Sequence, residues 1–160
     1  MKLIYPGSFD PITYGHLDII KRTAAFADKI YIAVLVNSSK VPMFSAEERV
    51  SMIEKCLQKL SNVEVITFNG LLVDLFKHYD IDAIIKGLRA ISDFEYEFQM
   101  AQINREMNVR AETLFMMTAP QYGYLSSSLV REIHRFGGDI HEFVPGVVEE
   151  AMHKKTEENQ

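Results

Sequence analysis

The chain has little of what defines a secreted, membrane or cysteine-rich protein. Its 160 residues include one cysteine, Cys56, and no tryptophan. A single cysteine can form neither an intrachain disulfide nor a cysteine-rich metal site, which favours a reducing, cytoplasmic setting. No apolar run approaches the roughly 18 residues of a membrane span, and the N-terminus lacks the apolar region of a signal peptide. We therefore expect a soluble cytoplasmic protein with no membrane contact.

The chain also lacks an excess of positive charge. Seventeen lysines and arginines stand against 22 acidic residues, for a net charge of −5. This balance argues against a nucleic-acid partner, since such proteins usually carry a basic footprint. It leaves room for a small anionic ligand, because a few cations can dominate one cleft. Hydrophobic residues make up 48% of the chain, enough for one domain over residues 1–160 with a frayed polar tail from about 154.

Strand-like and helix-like segments alternate along the chain. The strand-like segments are short and apolar, as in strands that are covered on both faces. They are Leu3–Tyr5, Ile30–Val36, Val63–Phe68, Ala83–Lys86 and Thr113–Thr118. A helical pattern follows each of them, and this alternation predicts a single doubly wound α/β domain with a five-stranded parallel sheet.

Two helix starts carry a specific signal. Ser45 and Glu48 form an S-x-x-E capping box before an apolar stripe that ends at Leu60. Ser92 and Glu95 repeat the spacing and predict a second capped helix to about Met107.

The most informative stretch is YPGSFDPITYGH, which follows the first strand. Ligands of doubly wound sheets bind in loops of this kind, beyond the carboxyl ends of the strands. Gly7 allows close approach of the backbone. His16 falls in the first turn of the next helix, where free N–H groups favour an anion. A strand–helix turn with a capping histidine is the alternative interpretation.

This stretch resembles the N-terminal signature of bacterial phosphopantetheine adenylyltransferases, in the nucleotidylyltransferase superfamily. Thr13 stands where the broad H-x-G-H signature of the superfamily has its first histidine. Three further motifs appear in the order and spacing of the family, and the resemblance runs from residue 3 to about 150. They are SKVPMF, KGLRAISDFEYE and SSSLVREI, beginning at Ser39, Lys86 and Ser126.

The resemblance implies a Rossmann-like nucleotidylyltransferase fold and transfer of AMP from ATP to 4′-phosphopantetheine, giving dephospho-coenzyme A and pyrophosphate. A substrate phosphate attacks the α-phosphorus in line, so no protein nucleophile is needed. The implied catalytic residues are His16, Lys40 and Arg89. The implied phosphopantetheine-binding residues are Ser8, Lys40, Leu72 and Lys86. The implied ATP-binding residues are Ser8, Phe9, His16, Gly87, Leu88, Arg89, Glu97, Tyr122, Gly123, Tyr124, Leu125, Ser126, Ser127 and Ser128.

Several of these residues have a plainer interpretation beside the implied one. Leu72 suits core packing nearly as well, Lys40 taken alone is a solvated lysine, and one serine of the Ser126–Ser128 run would suffice as a helix cap. Lys86 departs from the family, which usually has arginine there; it keeps the charge but loses the planar fork. Arg131 is a further candidate for assisting ATP.

The resemblance also carries expectations about cofactor and assembly. No cluster of residues has metal-ligand spacing, so we expect no metal site of the protein itself, and magnesium arriving with ATP. The family implies a homohexamer and feedback inhibition by coenzyme A. Two alternatives remain: a related nucleotidylyltransferase that acts on nicotinamide mononucleotide or a polyol phosphate, and a nucleotide sensor without turnover.

Overall fold

The described residues form five strands and five α-helices. The computed structural model describes residues 1–36 and 41–158, with the backbone alone at 91 and 92. The strands are Lys2–Gly7 (β1), Lys29–Leu35 (β2), Val63–Phe68 (β3), Ala83–Leu88 (β4) and Thr113–Met117 (β5). The α-helices are Tyr14–Ala24 (α1), Ala46–Leu57 (α2), Ile91–Met107 (α3), Ser127–Arg135 (α4) and Gly146–Glu158 (α5). Two short 3-10 helices cover Leu72–Lys77 and Pro120–Tyr122.

The strands form one parallel sheet in the order β3-β2-β1-β4-β5. Leu3 of β1 lies between Ile30 of β2 and Ala83 of β4 in the register. The chain winds from β1 toward one edge and then returns to build the other, so the winding direction reverses between β1 and β4. Ligands of such sheets bind at this reversal. The five-stranded, doubly wound parallel sheet predicted from the sequence is confirmed.

Apolar side chains fill both faces of the sheet. Leu3, Ile30 and Ile85 belong to a large cluster against α1, α2, α4 and α5. Ile4 and Ile84 belong to a smaller cluster on the opposite face, with the first 3-10 helix. Neighbouring residues of one strand thus supply opposite layers, as the pleat requires. This burial explains why the strands read as continuous apolar runs.

The two predicted helix caps have different outcomes. At α2 the capping box is confirmed: the Ser45 N–H donates to Glu48 Oε2 at 2.6 Å, and the Glu48 N–H donates to Ser45 Oγ at 3.2 Å. At α3 the prediction is wrong, because the helix starts at Ile91 with Ala90 as its N-cap. There the Asp93 carboxylate accepts the backbone N–H of Arg89 at 3.2 Å, in place of a serine cap.

The C-terminal segment is more ordered than its composition predicts. Residues 154–158 continue α5, so the predicted frayed tail is wrong for them. Lys155 Nζ lies 2.8 Å from Glu48 Oε1 and 5.9 Å from the centre of the Phe44 ring. These contacts hold the end of α5 against the start of α2.

Of the helices within residues 1–36 and 41–158, none combines the length and the apolar character needed to cross a bilayer.

Candidate active site

A cavity of about 420 Å³ opens at the carboxyl ends of β1 and β4, where the winding reverses. The β1–α1 loop, the end of β4, the first turns of α3 and the start of α4 surround it. From the motif after β1, the cavity is lined by Ser8, Phe9 and His16. From the later motifs it is lined by Lys86, Gly87, Arg89, Glu97, Leu125, Ser126, Ser127 and Ser128. Segments far apart in the sequence thus meet in one place.

Other predicted residues lie elsewhere. Lys40 is outside the described residues. Leu72 starts the first 3-10 helix and packs on the smaller core cluster, and Leu88 pairs with Met117 in the sheet. Tyr122 stacks on Tyr14 with ring centres 6.3 Å apart. Gly123 follows the second 3-10 helix, and the exposed Tyr124 ring contacts Phe143. None of these described residues lines the cavity.

The β1–α1 loop folds around the side chain of Phe9. Phe9 has a φ of 48°, which a bulky residue rarely adopts. Its buried ring packs edge-on against Tyr5 and His16, with ring centres 5.5 and 5.1 Å away. A Cβ on Gly7 would come within 2.9 Å of this ring. Gly7 therefore lets the backbone lie close to the Phe9 ring, and this ring packs against His16.

His16 is held in one orientation by the residue that caps α1. The backbone N–H of Thr13 donates to His16 Nδ1 at 3.1 Å, and the His16 N–H donates weakly to Thr13 Oγ1 at 3.5 Å. Because Nδ1 accepts a hydrogen bond, the proton of the neutral ring sits on Nε2. Burial, and then the charge of Arg89, lower the pKa of His16 to about 4. At neutral pH the ring is an uncharged donor.

On the opposite side each cation is paired with a carboxylate of α3. Lys86 Nζ lies 3.1 Å from Glu97 Oε2. The guanidinium of Arg89 donates to both oxygens of Asp93, at 2.9 and 3.1 Å, and its Nη1 donates to the Leu125 carbonyl at 3.1 Å. Burial alone would raise the pKa of Asp93, but the hydrogen bonds and charge of Arg89 outweigh it and lower that pKa.

The start of α4 closes the third side. Ser126 caps the helix, accepting the Leu129 N–H at 3.1 Å. Ser127 Oγ donates to the Pro11 carbonyl at 2.7 Å, and Arg131 donates to Ser128 Oγ at 3.3 Å. The first N–H groups of the helix have no partner within it, so they are suited to an anion.

Three charged residues at the cavity were missed or underrated by sequence reasoning. Asp10 is buried and accepts the N–H groups of Met43 and Phe44, both at 2.9 Å. Arg131 pairs with Asp10 at 3.6 Å. Arg49 is buried on α2 and lines the cavity. The sequence feature that could have identified Arg49 is a charged residue on the otherwise apolar stripe of α2.

The side chains described at the cavity carry a net positive charge, whereas the chain as a whole is net negative. Four permanent cations line it against three carboxylates, in a chain of net charge −5. The cations are Arg49, Lys86, Arg89 and Arg131, and the carboxylates are Asp10, Asp93 and Glu97. Across the described part of the chain, no three His, Cys, Asp or Glu side chains are grouped as a metal site. The arrangement can hold and polarise a polyphosphate.

A family model described as cytidylyltransferase-like matches residues 4–133. A phosphopantetheine adenylyltransferase from Caldanaerobacter subterraneus subsp. tengcongensis is 57% identical over 152 residues, which are 95% of each protein. Enzymes of the same name from Alkaliphilus metalliredigens and Clostridium perfringens are 55% and 54% identical. The two matches cover 96% and 95% of this chain, and 98% and 93% of those proteins.

A solved structure is also similar to this fold. It is a crystal structure from Vibrio parahaemolyticus, described as that of a nicotinate-nucleotide adenylyltransferase, with a TM-score of 0.72. The likeness covers 96% of this chain and 93% of that one, at 18% sequence identity. At this identity the likeness shows the fold alone, which is the Rossmann-like nucleotidylyltransferase fold that the sequence predicts.

Proposed function

This chain belongs to the phosphopantetheine adenylyltransferase family, and we propose that the cavity at the ends of β1 and β4 is its active site. It transfers AMP reversibly from ATP to 4′-phosphopantetheine, giving dephospho-coenzyme A and pyrophosphate in coenzyme A biosynthesis. A new P–O bond forms between a phosphate oxygen of phosphopantetheine and the α-phosphorus of ATP. The bond from that phosphorus to the β-phosphate oxygen breaks, and pyrophosphate leaves.

The observation that carries the site proposal is the neutral, oriented ring of His16 in the same cavity as Lys86 of β4 and Arg89, which follows β4. With Nδ1 bound to Thr13, Nε2–H is the donor that remains for the α-phosphate. A donor fixed in advance lowers the barrier because it needs no rearrangement when charge develops. Lys86 and Arg89 carry the charge needed by the reacting and leaving phosphates.

The remaining roles follow the order of the motifs. Ser8 lies between the two substrates, and Lys40 and Lys86 bind the phosphate of phosphopantetheine. Leu72 does not line the cavity, so its proposed contact with the pantetheine arm requires the arm to extend beyond it. Within the cavity, ATP lies against Phe9, His16, Gly87, Arg89 and Glu97, and along Leu125–Ser128, where α4 begins. The predicted contacts at Leu88 and Tyr122–Tyr124 require ATP to reach past the cavity lining. No covalent enzyme intermediate forms, because the acceptor phosphate is itself the nucleophile.

ATP enters as its magnesium complex, with the metal held by phosphates and water. This mode of binding suits a cavity whose carboxylates already have cationic partners: Asp93 binds Arg89, and Glu97 binds Lys86. The single half-buried cysteine, Cys56, supports a reducing, cytoplasmic location. Coenzyme A shares most of the product's structure, so we expect it to bind in the same cavity and inhibit competitively.

We also propose a homohexamer built through α3 and β5. Large, apolar and well exposed side chains of these two elements are Phe94, Tyr96, Phe98, Ile103, Met107 and Met117, and those of α3 lie on two sides of the helix. Exposed apolar surface of this extent is typical of an interface. Light scattering should give six times the 18.3 kDa chain mass. A monomer mass would exclude the hexamer.

The test of function is pyrophosphate release from ATP and magnesium, with and without 4′-phosphopantetheine, and with nicotinamide mononucleotide as a parallel acceptor. Release that depends on phosphopantetheine supports the proposal. Release with nicotinamide mononucleotide alone would support adenylyl transfer but show that the acceptor is a different substrate. No release with either acceptor, despite measurable ATP binding, would favour a nucleotide sensor.

A further inference from the structure

Arg49 is an unusual residue for its position. It lies in the first turn of α2, and the side chain is only 4% exposed. Arginine is almost never fully buried unless it is paired. Here Nη1 donates to the carbonyls of Ser8, at 2.7 Å, and Leu35, at 3.0 Å, and Nε donates to the Ser45 carbonyl at 3.3 Å. One guanidinium therefore joins the β1–α1 loop, the end of β2 and the start of α2.

The bond to Ser8 is the one that matters for the site. The Ser8 carbonyl belongs to the peptide that precedes Phe9, whose φ of 48° is unfavourable for a bulky residue. A neighbour must hold this conformation, and the 2.7 Å bond from Arg49 to the Ser8 carbonyl does so. The positions of Ser8 and of the Phe9 ring under His16 both depend on it.

The charge of Arg49 is the second part of the argument. The guanidinium remains protonated at any working pH. Lys86, Arg89 and Arg131 each have a carboxylate within 4 Å, whereas no carboxylate of the described chain lies within that distance of Arg49. Carbonyl groups satisfy its hydrogen bonds without cancelling its charge. A bound anion in the cavity can therefore pair with this charge.

We infer that Arg49 is a positioning residue for adenylyl transfer: its hydrogen bonds fix Ser8, and its uncancelled charge attracts the substrate phosphates. The inference rests on the proposed function, because it takes the cavity as the place where both substrates bind. It assigns two separable effects to one side chain. The hydrogen bonds of Arg49 to backbone carbonyls should determine kcat, and its charge should determine the affinity for anions.

Two substitutions separate these effects. Arg49→Lys keeps the charge, but its ammonium ends one bond short of the Nη1 position and it has no Nε–H for the Ser45 carbonyl. Arg49→Met removes both the charge and the hydrogen bonds. The probe is inorganic pyrophosphate, whose Kd is measured by calorimetry without turnover, alongside kcat and KM for both substrates. Arg49→Lys should bind pyrophosphate within about threefold of the wild type while kcat falls about tenfold. Arg49→Met should lose about tenfold in both kcat and pyrophosphate affinity.

Arg110→Met is the matched control, since Arg110 also donates to a backbone carbonyl, that of Ile81, far from the cavity. It should leave pyrophosphate Kd and kcat unchanged. All variants are assayed below their unfolding temperature, checked by circular dichroism. If Arg49→Met does not fold, Arg49→Lys decides: a reduced kcat with near-normal pyrophosphate Kd supports the inference.

A merely structural Arg49 would lower the unfolding temperature and leave kcat and pyrophosphate Kd within twofold of the wild type. That result would overturn the inference. Failure of the proposed function looks different, because the wild type itself would then release no pyrophosphate with 4′-phosphopantetheine. Since binding of pyrophosphate needs no acceptor, the calorimetric comparison still decides the role of the charge.

Discussion

On the β1 side of the cavity, His16 and Arg49 are held by backbone groups, and Arg49 in turn binds the Ser8 carbonyl. On the β4 side, Lys86 and Arg89 are held by the carboxylates of Glu97 and Asp93. We call these the β1 wall and the β4 wall. In the β1 wall, His16 and Arg49 have no carboxylate partner among the residues described. These two side chains of the β1 wall can therefore contact a bound anion without first releasing a carboxylate.

If the cavity binds substrate as proposed, Lys86 and Arg89 of the β4 wall must exchange their carboxylate partners for phosphate. Phosphate oxygens and carboxylates compete for the same guanidinium and ammonium groups, so binding exchanges one anion for another. Such an exchange costs affinity, but it avoids leaving uncompensated charges in the free protein. The comparison assigns rate chiefly to the β1 wall, where Arg49 also contributes charge for anions, and exchange of anionic partners to the β4 wall. Four measurements test this division.

The largest effect is expected for His16→Ala. If the β1 wall supplies the donor for the α-phosphate, kcat should fall at least about 10²-fold, as for loss of one oxyanion donor. The Kd of ATP should change much less, because Arg89 and α4 remain. Steady-state kinetics and calorimetry on the same preparation measure both.

His16→Gln is the companion variant, since its amide can still fill the space above Phe9 and donate one hydrogen bond. It should recover part of the rate. A folded His16→Ala protein with near-normal kcat would remove His16 from the mechanism and the division of labour with it.

The next effect is expected for Asp93→Asn in the β4 wall. Loss of this carboxylate frees the Arg89 fork and removes a negative charge from the cavity, so pyrophosphate should bind about tenfold more tightly. Asp80→Asn is the control, because Asp80 pairs with Lys2 outside the cavity. Weaker binding of pyrophosphate by Asp93→Asn would mean that Asp93 presents Arg89 to the substrate rather than competing with it.

The contacts of these walls show what local sequence can predict. The strands were predictable because each is a short, mainly apolar run, buried on both faces in the central strands β1, β2 and β4. The cap of α2 was predictable because Ser45 and Glu48 are three residues apart. The same spacing at Ser92 and Glu95 predicted a cap that does not form. At the start of α3, Asp93 accepts hydrogen bonds from Arg89 instead. Arg89 is close enough because β4 ends at Leu88 and α3 begins at Ile91.

The candidate site was predictable where one motif holds a complete feature, as Thr13 and His16 do within a single turn. The partners of the buried charges were not. Arg49 and Ser8 are 41 residues apart, and Arg131 and Asp10 are 121 apart. The order of strands in the sheet brings such pairs together, and no local pattern encodes it. Sequence therefore predicted many of the residues that line the cavity, but not the partners that hold the buried charges in place.

The third measurement concerns the pKa of His16. Its folded value of about 4 lies below the ordinary 6.5. Between these two pH values the unfolded chain binds a proton that the folded chain does not, so stability falls as the pH is lowered through this window. Above about 6.5 both states are neutral and the effect is absent.

From pH 6.5 to 5.5 the wild type should lose about 1 kcal/mol more than His16→Gln in urea unfolding. An equal loss in the two proteins would show that the β1 wall does not hold the ring neutral. Nitrogen-detected NMR of the imidazole should show the proton on Nε2 at pH 7, and a proton on Nδ1 would contradict the hydrogen bond from Thr13.

The smallest effect is expected for Lys86→Arg, which restores the usual arginine of the family. If Lys86 exchanges Glu97 for a substrate phosphate, an arginine of equal charge should also function at this position, because the bound phosphate then determines where the cation lies. The arginine fork can also bond Glu97 and phosphate together, so KM for 4′-phosphopantetheine should fall two- to threefold, with kcat within about twofold. A loss of more than tenfold in kcat would mean that the ammonium group of Lys86 is placed as strictly as His16, and that the β4 wall is as prearranged as the β1 wall.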